Sequence, residues 1–285
     1  MDLDRRPTRV LDLHHHVGSL EVGLAGEVGT GGSDLDTRHK VHQDMLDRFG
    51  FDAAAVMPGL QYERPHGIAD TRVVNDAIAA YRDRLPGRFP LAMGTVEPLY
   101  GIPVCTEEIA RIAGELHLDG LVWHTRYQGV AISDRRMHEL VDLATAHGLP
   151  CLVHMFAESL LEEPWMVADL ARNHPEATIV VMDGFSGANQ AQYVMDLADR
   201  FPGLYFDTAI CFPLLRLLDR FVDRFGARRL LFGTDSYADP VTYNHAAVHH
   251  ELLASTLTAE DLEDVYWRNA ARIFPRLAEL WPVDA

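Results

Sequence analysis

Eight short apolar runs recur along this chain, each followed by a longer amphipathic stretch, and that alternation constrains the fold most. The runs are Arg9–His14, Ala53–Met57, Pro90–Val96, Gly120–His124, Pro150–His154, Thr178–Met182, Leu204–Asp207 and Arg229–Gly233. Each is nearly continuously apolar, as parallel strands covered on both faces require. Helical patterns fill the intervals: Asp34–Phe49, Asp70–Leu85, Val104–Leu116, Asp134–His147, Pro164–Asn173, Asn189–Phe201, Phe212–Phe225 and a last region from Tyr243 to Leu280. Ser133 reads as an N-cap, Pro164 as a first-turn proline and Gly226 as a helix stop. Strict alternation predicts an α/β protein, a single-domain (β/α)8 TIM barrel. The length of 285 residues suits one such barrel, which needs about 250. Residues 1–8 read as an N-terminal tail and 9–285 as the barrel. A doubly wound open sheet competes, but its first strand would run into a glycine-rich phosphate loop, and here it ends in histidines. The glycine-rich segment Gly18–Asp36 reads as a long loop over that strand end, able to serve as a lid.

Charge and cysteine usage narrow the partners. The formal net charge of −17 repels phosphate backbones and anionic membranes, so no nucleic acid and no membrane partner is expected. No run reaches the roughly 20 apolar residues of a membrane span. The start MDLDRRPTRV lacks the apolar core of a signal peptide. Cys105, Cys151 and Cys211 are odd in number, widely spaced and set in apolar contexts, which predicts reduced core thiols in a cytoplasmic protein.

The chemistry-bearing residues gather at strand ends. The first strand finishes Asp12-Leu13-His14-His15-His16. Side chains alternate along a strand, so His14 and His16 share one face and His15 takes the other. Two imidazoles at i and i+2 on a barrel strand make a natural pair of metal ligands, although a run of three histidines also suits a solvated cluster. His154 and Asp235 follow apolar runs at the ends of the fifth and eighth strands, the end of a barrel where chemistry resides.

At this point the chain resembles the amidohydrolase superfamily, in the branch of the aminocarboxymuconate semialdehyde decarboxylase relatives. The resemblance spans nearly the whole chain. It rests on Asp12, His14 and His16 as a DxHxH element and on the stretches Gly120–Gly129, Gly148–His154, Leu231–Ser236 and Asn269–Phe274. The resemblance implies one divalent ion held by His14, His16, His154 and Asp235, with a position left for water or substrate. Zinc suits three imidazoles and a carboxylate; manganese, iron and cobalt are alternatives. Two-metal members often use a carboxylated lysine on the fourth strand, and the only lysine here is Lys40. The family's usual histidine at the end of strand 6 is replaced by Asp183. Three readings follow: Asp183 orients or deprotonates the water, joins the metal, or marks a site that has lost the usual reaction. The resemblance also implies that Asp235 is a proton acceptor, and relatives of this branch suggest a homodimer.

Further residues suit a small-molecule substrate. His124 closes strand 4 and should point into the cup, as a substrate contact or a hydrogen-bonded structural histidine. Arg126 suits a bidentate grip on a carboxylate or, equally, a salt bridge to a neighbouring loop, with Tyr127 beside it. Glu97 ends strand 3 as a further substrate-contact candidate; Arg64 and His66 in the strand-2 loop could close over an anionic substrate, although a solvated loop fits them better. Trp123 should pack outward against the helices. His245 and His249, at i and i+4, permit a second metal, but a surface or interface face fits them better. Leu277, Leu280 and Trp281 form a packing stripe. The expected function is a metal-dependent hydrolase of a small cyclic amide, ester or lactone using a metal-activated water. The alternatives are a non-oxidative decarboxylase of a small aromatic or unsaturated acid, and a non-catalytic ligand-binding barrel.

Overall fold

The computed structural model describes residues 5–19, 35–59, 64–157, 159–211, 216–239 and 246–283. It is a (β/α)8 barrel with one additional strand. The first half runs β1 (Leu11–Ser19), α1 (Leu35–Phe49), β2 (Ala53–Pro58), α2 (Ile68–Arg84), β3 (Leu91–Gly94), α3 (Ile102–Gly114) and β4 (Gly120–Trp123). A one-turn helix α4 (Thr125–Gln128) precedes α5 (Arg135–Ala146), β5 (Cys151–His154), α6 (Pro164–Asn173), β6 (Ile179–Met182), α7 (Ala188–Arg200), β7 (Leu204–Asp207) and α8 (Leu217–Phe225). Then come β8 (Leu230–Leu231), β9 (Ser236–Asp239), α9 (Ala246–Ala254), α10 (Ala259–Glu263), a π-helical turn at Asp264–Arg268, α11 (Asn269–Ile273) and α12 (Pro275–Leu280).

All strand pairs are parallel, in the order β8-β7-β6-β5-β4-β3-β2-β1-β9. Every residue of β2 through β6 is buried, the burial expected when helices cover a sheet whose other face lines a barrel. Closure is made by the backbone after β8. Leu13 donates to the Phe232 carbonyl (2.9 Å), and Asp235 donates to the His14 carbonyl (2.9 Å). The eighth strand is shorter than the apolar run Arg229–Gly233 because the Phe232 N–H is taken by Val265 of the π turn (2.9 Å). The ninth strand was not evident from the sequence. It pairs His15 with Ser236 and His16 with Tyr237 and so extends β1 past the barrel rim.

Local departures have local causes. Helix α5 is capped by Asp134, whose carboxylate accepts from the Arg136 N–H (2.9 Å), not by Ser133. His249 is buried, not on a surface face: its Nδ1 pairs with the Tyr266 hydroxyl (2.8 Å), making it a satisfied core histidine. His245, most of Gly18–Asp36 and residues 212–215 of the helix begun at Phe212 lie outside the described residues. Residues 5–8 are fastened to the barrel, with Arg5 bonded to the Ser255 carbonyl (2.8 Å) and Thr8 to Glu263 (2.6 and 2.8 Å). The three cysteine thiols are buried, and burial pushes Cys105 and Cys151 up to about 12. Leu277 and Trp281 pack as expected, while Leu280 is half exposed. Among the described residues no helix is long and apolar enough to cross a membrane.

Candidate metal centre

The C-terminal strand ends bring His14, His16, His154 and Asp235 together. His14 Nε2 lies 2.9 Å from His16 Nε2 and 3.3 Å from His154 Nε2. Asp235 Oδ1 lies 3.3 Å and 3.0 Å from the same atoms of His14 and His16. All three imidazoles are fully buried.

Each Nδ1 is committed elsewhere. His14 Nδ1 donates to Asp207 Oδ2 (2.6 Å), His16 Nδ1 to the Pro58 carbonyl (2.8 Å) and His154 Nδ1 to the Trp123 carbonyl (2.9 Å). These oxygens accept, so each ring has its Nδ1–H committed outward and the three Nε2 atoms converge, where a cation would take the place of any proton. Lone pairs and a carboxylate at such distances repel unless positive charge lies among them. Burial wins at His16 and His154, which are held below the usual imidazole range. At His14 burial is outweighed by Asp207, which holds the ring well above that range. Burial would likewise raise Asp235, but His14 and His16 outweigh it and hold the carboxylate below its usual range. The donor set fits a divalent transition-metal ion.

Several buried contacts align these side chains. Asp12 joins β1 to the segment after β8, accepting from His14 N (3.1 Å), Thr234 N (3.0 Å), Thr234 Oγ1 (2.6 Å) and His15 Nδ1 (3.1 Å). The register of β1 shifts between Asp12 and His15. His14 and His16 nevertheless share the inner side, and His15 turns to meet the ring of His42 (4.5 Å). Gly233 sits against His14, where a Cβ would lie 2.8 Å from His14 Cβ and 3.0 Å from Asp207 Oδ2. Asp183 and Asp235 have φ of 58° and 59°, a left-handed conformation that aspartate tolerates better than most residues. Both are turned out of their strands at the mouth, and residues held in sparsely populated backbone regions cluster at functional sites.

Asp207 and Glu162 were missed in the sequence. Asp207 orients His14 and also accepts from the Asp183 N–H (2.8 Å). Its signal was its place at a strand end. Replacing it with asparagine should weaken metal binding by roughly 10–100-fold, as losing a carboxylate behind a ligating histidine does. Competition with a chromophoric chelator measures this, and an unaltered affinity would remove Asp207 from the centre.

The cup beyond the ligands is lined from β4, β5 and β6. His124 follows β4, is buried, and stacks on His154 with centroids 3.6 Å apart at 15°. His124, His154 and Asp183 offer ligand atoms within 4.8 Å of one another. His154 has only Nε2 to give, so this group overlaps the first and is no separate cation site. Asp183 Oδ1 is buried with no hydrogen-bond partner among the described residues, lying 3.7 Å from His14 Nδ1, and burial raises its pKa well above the usual range. Arg126 lies between two aromatic faces, 4.7 Å from the Tyr127 centroid and 4.2 Å from that of Phe156. Arg64 and Glu97 form an ion pair with each other (2.8 Å). Trp123 is fully buried in the core, as expected.

Comparison with known proteins places the chain in a family. The sequence profile of the family described as Amidohydrolase matches residues 11–276. The chain belongs to the amidohydrolase family. The fold resembles 5-carboxyvanillate decarboxylase from Sphingomonas paucimobilis at TM-score 0.65 and 18% identity, covering 94% of this chain and 99% of that one. It resembles 4-oxalomesaconate hydratase from Rhodopseudomonas palustris at TM-score 0.72 and 17% identity, covering 95% and 97%. A 5-carboxyvanillate decarboxylase from Novosphingobium aromaticivorans, solved with bound manganese and a substituted nitrobenzoic acid, aligns at TM-score 0.67 and 15% identity over 95% and 97%. Comparison with curated protein sequences finds no significant match.

Proposed function

We propose that this amidohydrolase is a metal-dependent decarboxylase of a small aromatic or unsaturated carboxylic acid. The observation that carries the reading is Arg126, a guanidinium held between Tyr127 and Phe156 on the strand-4 turn beside the histidine cluster. A cation fixed on aromatic faces is pre-organised for a planar carboxylate. The decarboxylases of the same fold act on, or were solved with, aromatic acids, which supports this reading over the hydrolysis expected from sequence.

His14, His16, His154 and Asp235 would hold one divalent ion, which when bound supplies Lewis-acid polarisation of a substrate oxygen. In this reading Arg126 binds an anionic group of the substrate, and Tyr127 and His124 wall the ring. Loss of carbon dioxide leaves an electron pair on carbon, which must take a proton. We assign that proton to Asp183, whose buried Oδ1 has no competing partner among the described residues. Arg64 and Glu97, spent on each other, shape the rim. Hydrolysis is the second reading, favoured by Asp235, a carboxylate kept ionised beside the cluster and suited to accept a proton.

Manganese- or zinc-loaded protein should release carbon dioxide from at least one member of a panel of hydroxylated benzoates and muconate-type acids. Arg126→Gln should raise KM for that acid by about 100-fold, as loss of a charge-assisted pair does. Turnover of lactones or cyclic amides with no carbon dioxide from any acid would replace this reading with the hydrolytic one.

A further inference from the structure

Behind Arg126 lies a carboxylate that the reaction above does not use. Glu162, in the loop before α6, is fully buried. Its Oε1 accepts from the Arg126 backbone N–H (3.1 Å) and lies 3.5 Å from His124 Nδ1. Its Oε2 lies 3.8 Å from Arg126 Nη1, near enough for Coulomb attraction and too far for a hydrogen bond. Glu162 Oε2, Arg126 Nε and His124 Nδ1 are all buried without a hydrogen-bond partner among the described residues. Three such atoms on three adjoining side chains are unusual, because burying an unmade bond costs about 1–3 kcal/mol each.

We propose that Glu162 is the internal counter-ion of Arg126, and that an anionic group of the substrate competes with it for the guanidinium. The inference rests on the carboxylate-binding reading given above. The pair is held close but unbonded, so the cation stays available to a ligand entering from the mouth, where Arg126 is about a fifth exposed. Glu162 then tunes the site's selectivity. When it is ionised, Arg126 is partly neutralised and an anionic ligand binds less well. When it is protonated, the full positive charge faces the ligand.

The surroundings favour the switch between these forms. Burial, only partly offset by Arg126, pushes Glu162 up to about 7. Among the described residues, the charged or titratable groups facing it are His124 and Arg126 from the strand-4 turn; its own loop adds the Phe156 backbone and Ser159. The raised pKa means that its charge appears as pH climbs through neutrality. Binding of an anion should therefore weaken across that range.

The test uses the manganese-loaded protein with benzoate and the neutral isostere benzamide as probes, at about pH 6 and about pH 8.5. Glu162→Gln keeps an acceptor for the Arg126 N–H and removes the charge. It should tighten benzoate about tenfold at the higher pH, change it less than about twofold at the lower, and leave benzamide unmoved. Arg126→Gln should weaken benzoate at both. If Arg126→Gln weakens benzoate but Glu162→Gln leaves its pH dependence as in the wild type, the counter-ion role fails and the carboxylate site survives. If Arg126→Gln has no effect, or the wild type binds no benzoate, both fail. Should Glu162→Gln not fold, the wild type decides: a benzoate affinity that does not fall between the two pH values overturns the proposal.

Discussion

Replacing His14 with alanine should leave a folded barrel that retains under about 0.1 metal ion per chain and turns over substrate more than about 10³-fold more slowly. His14 stands at the centre of the cluster, within 2.9 and 3.3 Å of the two other imidazoles and 3.3 Å of Asp235. Its loss removes one ligand and also the partner of Asp207, leaving that buried carboxylate with the Asp183 N–H. Stability should fall without collapse, since the large apolar core around the strands is untouched. Asp235→Asn should lose turnover as completely, because the cluster then lacks its only carboxylate ligand. Elemental analysis and a circular dichroism melt check both variants. A His14→Ala protein with full metal content would refute the ligand assignment.

The second large effect belongs to a residue with no side chain. Gly233→Ala should cost about 1–3 kcal/mol and most of the metal affinity, the cost range for forcing a methyl group into a packed interior. Its Cβ would meet His14 Cβ at 2.8 Å and Asp207 Oδ2 at 3.0 Å, and His14 is a strand residue that cannot swing aside. Either β1 moves away from the segment after β8, or Asp207 releases Nδ1. Both outcomes misdirect the His14 lone pair. Thermal melting and metal titration of the variant give the two numbers. Wild-type values for both would show that the closure has slack there.

The length and spacing of the apolar runs determined the barrel. Parallel strands buried on both faces must be apolar throughout, and that demand is visible residue by residue in β2 through β6. The strand-end rule also marked the four proposed ligands, because in a barrel the C-terminal ends of separate strands open on one mouth. What the tertiary structure decided is partnership across strands. Nothing local in the chain pairs Asp207 with His14, 193 positions away, or Asp12 with Thr234, 222 away; closing the sheet does. Nor does sequence distinguish Glu162 from Glu163 beside it at the start of α6, for only packing decides which carboxylate is buried against Arg126 and which is only partly buried. His249 shows the reverse case, where a helical spacing suggested a surface histidine and the fold satisfied it with a tyrosine from the π turn. Side-chain periodicity is a property of the backbone and is written locally. The hydrogen-bond partner of a buried polar group is a property of the closed barrel.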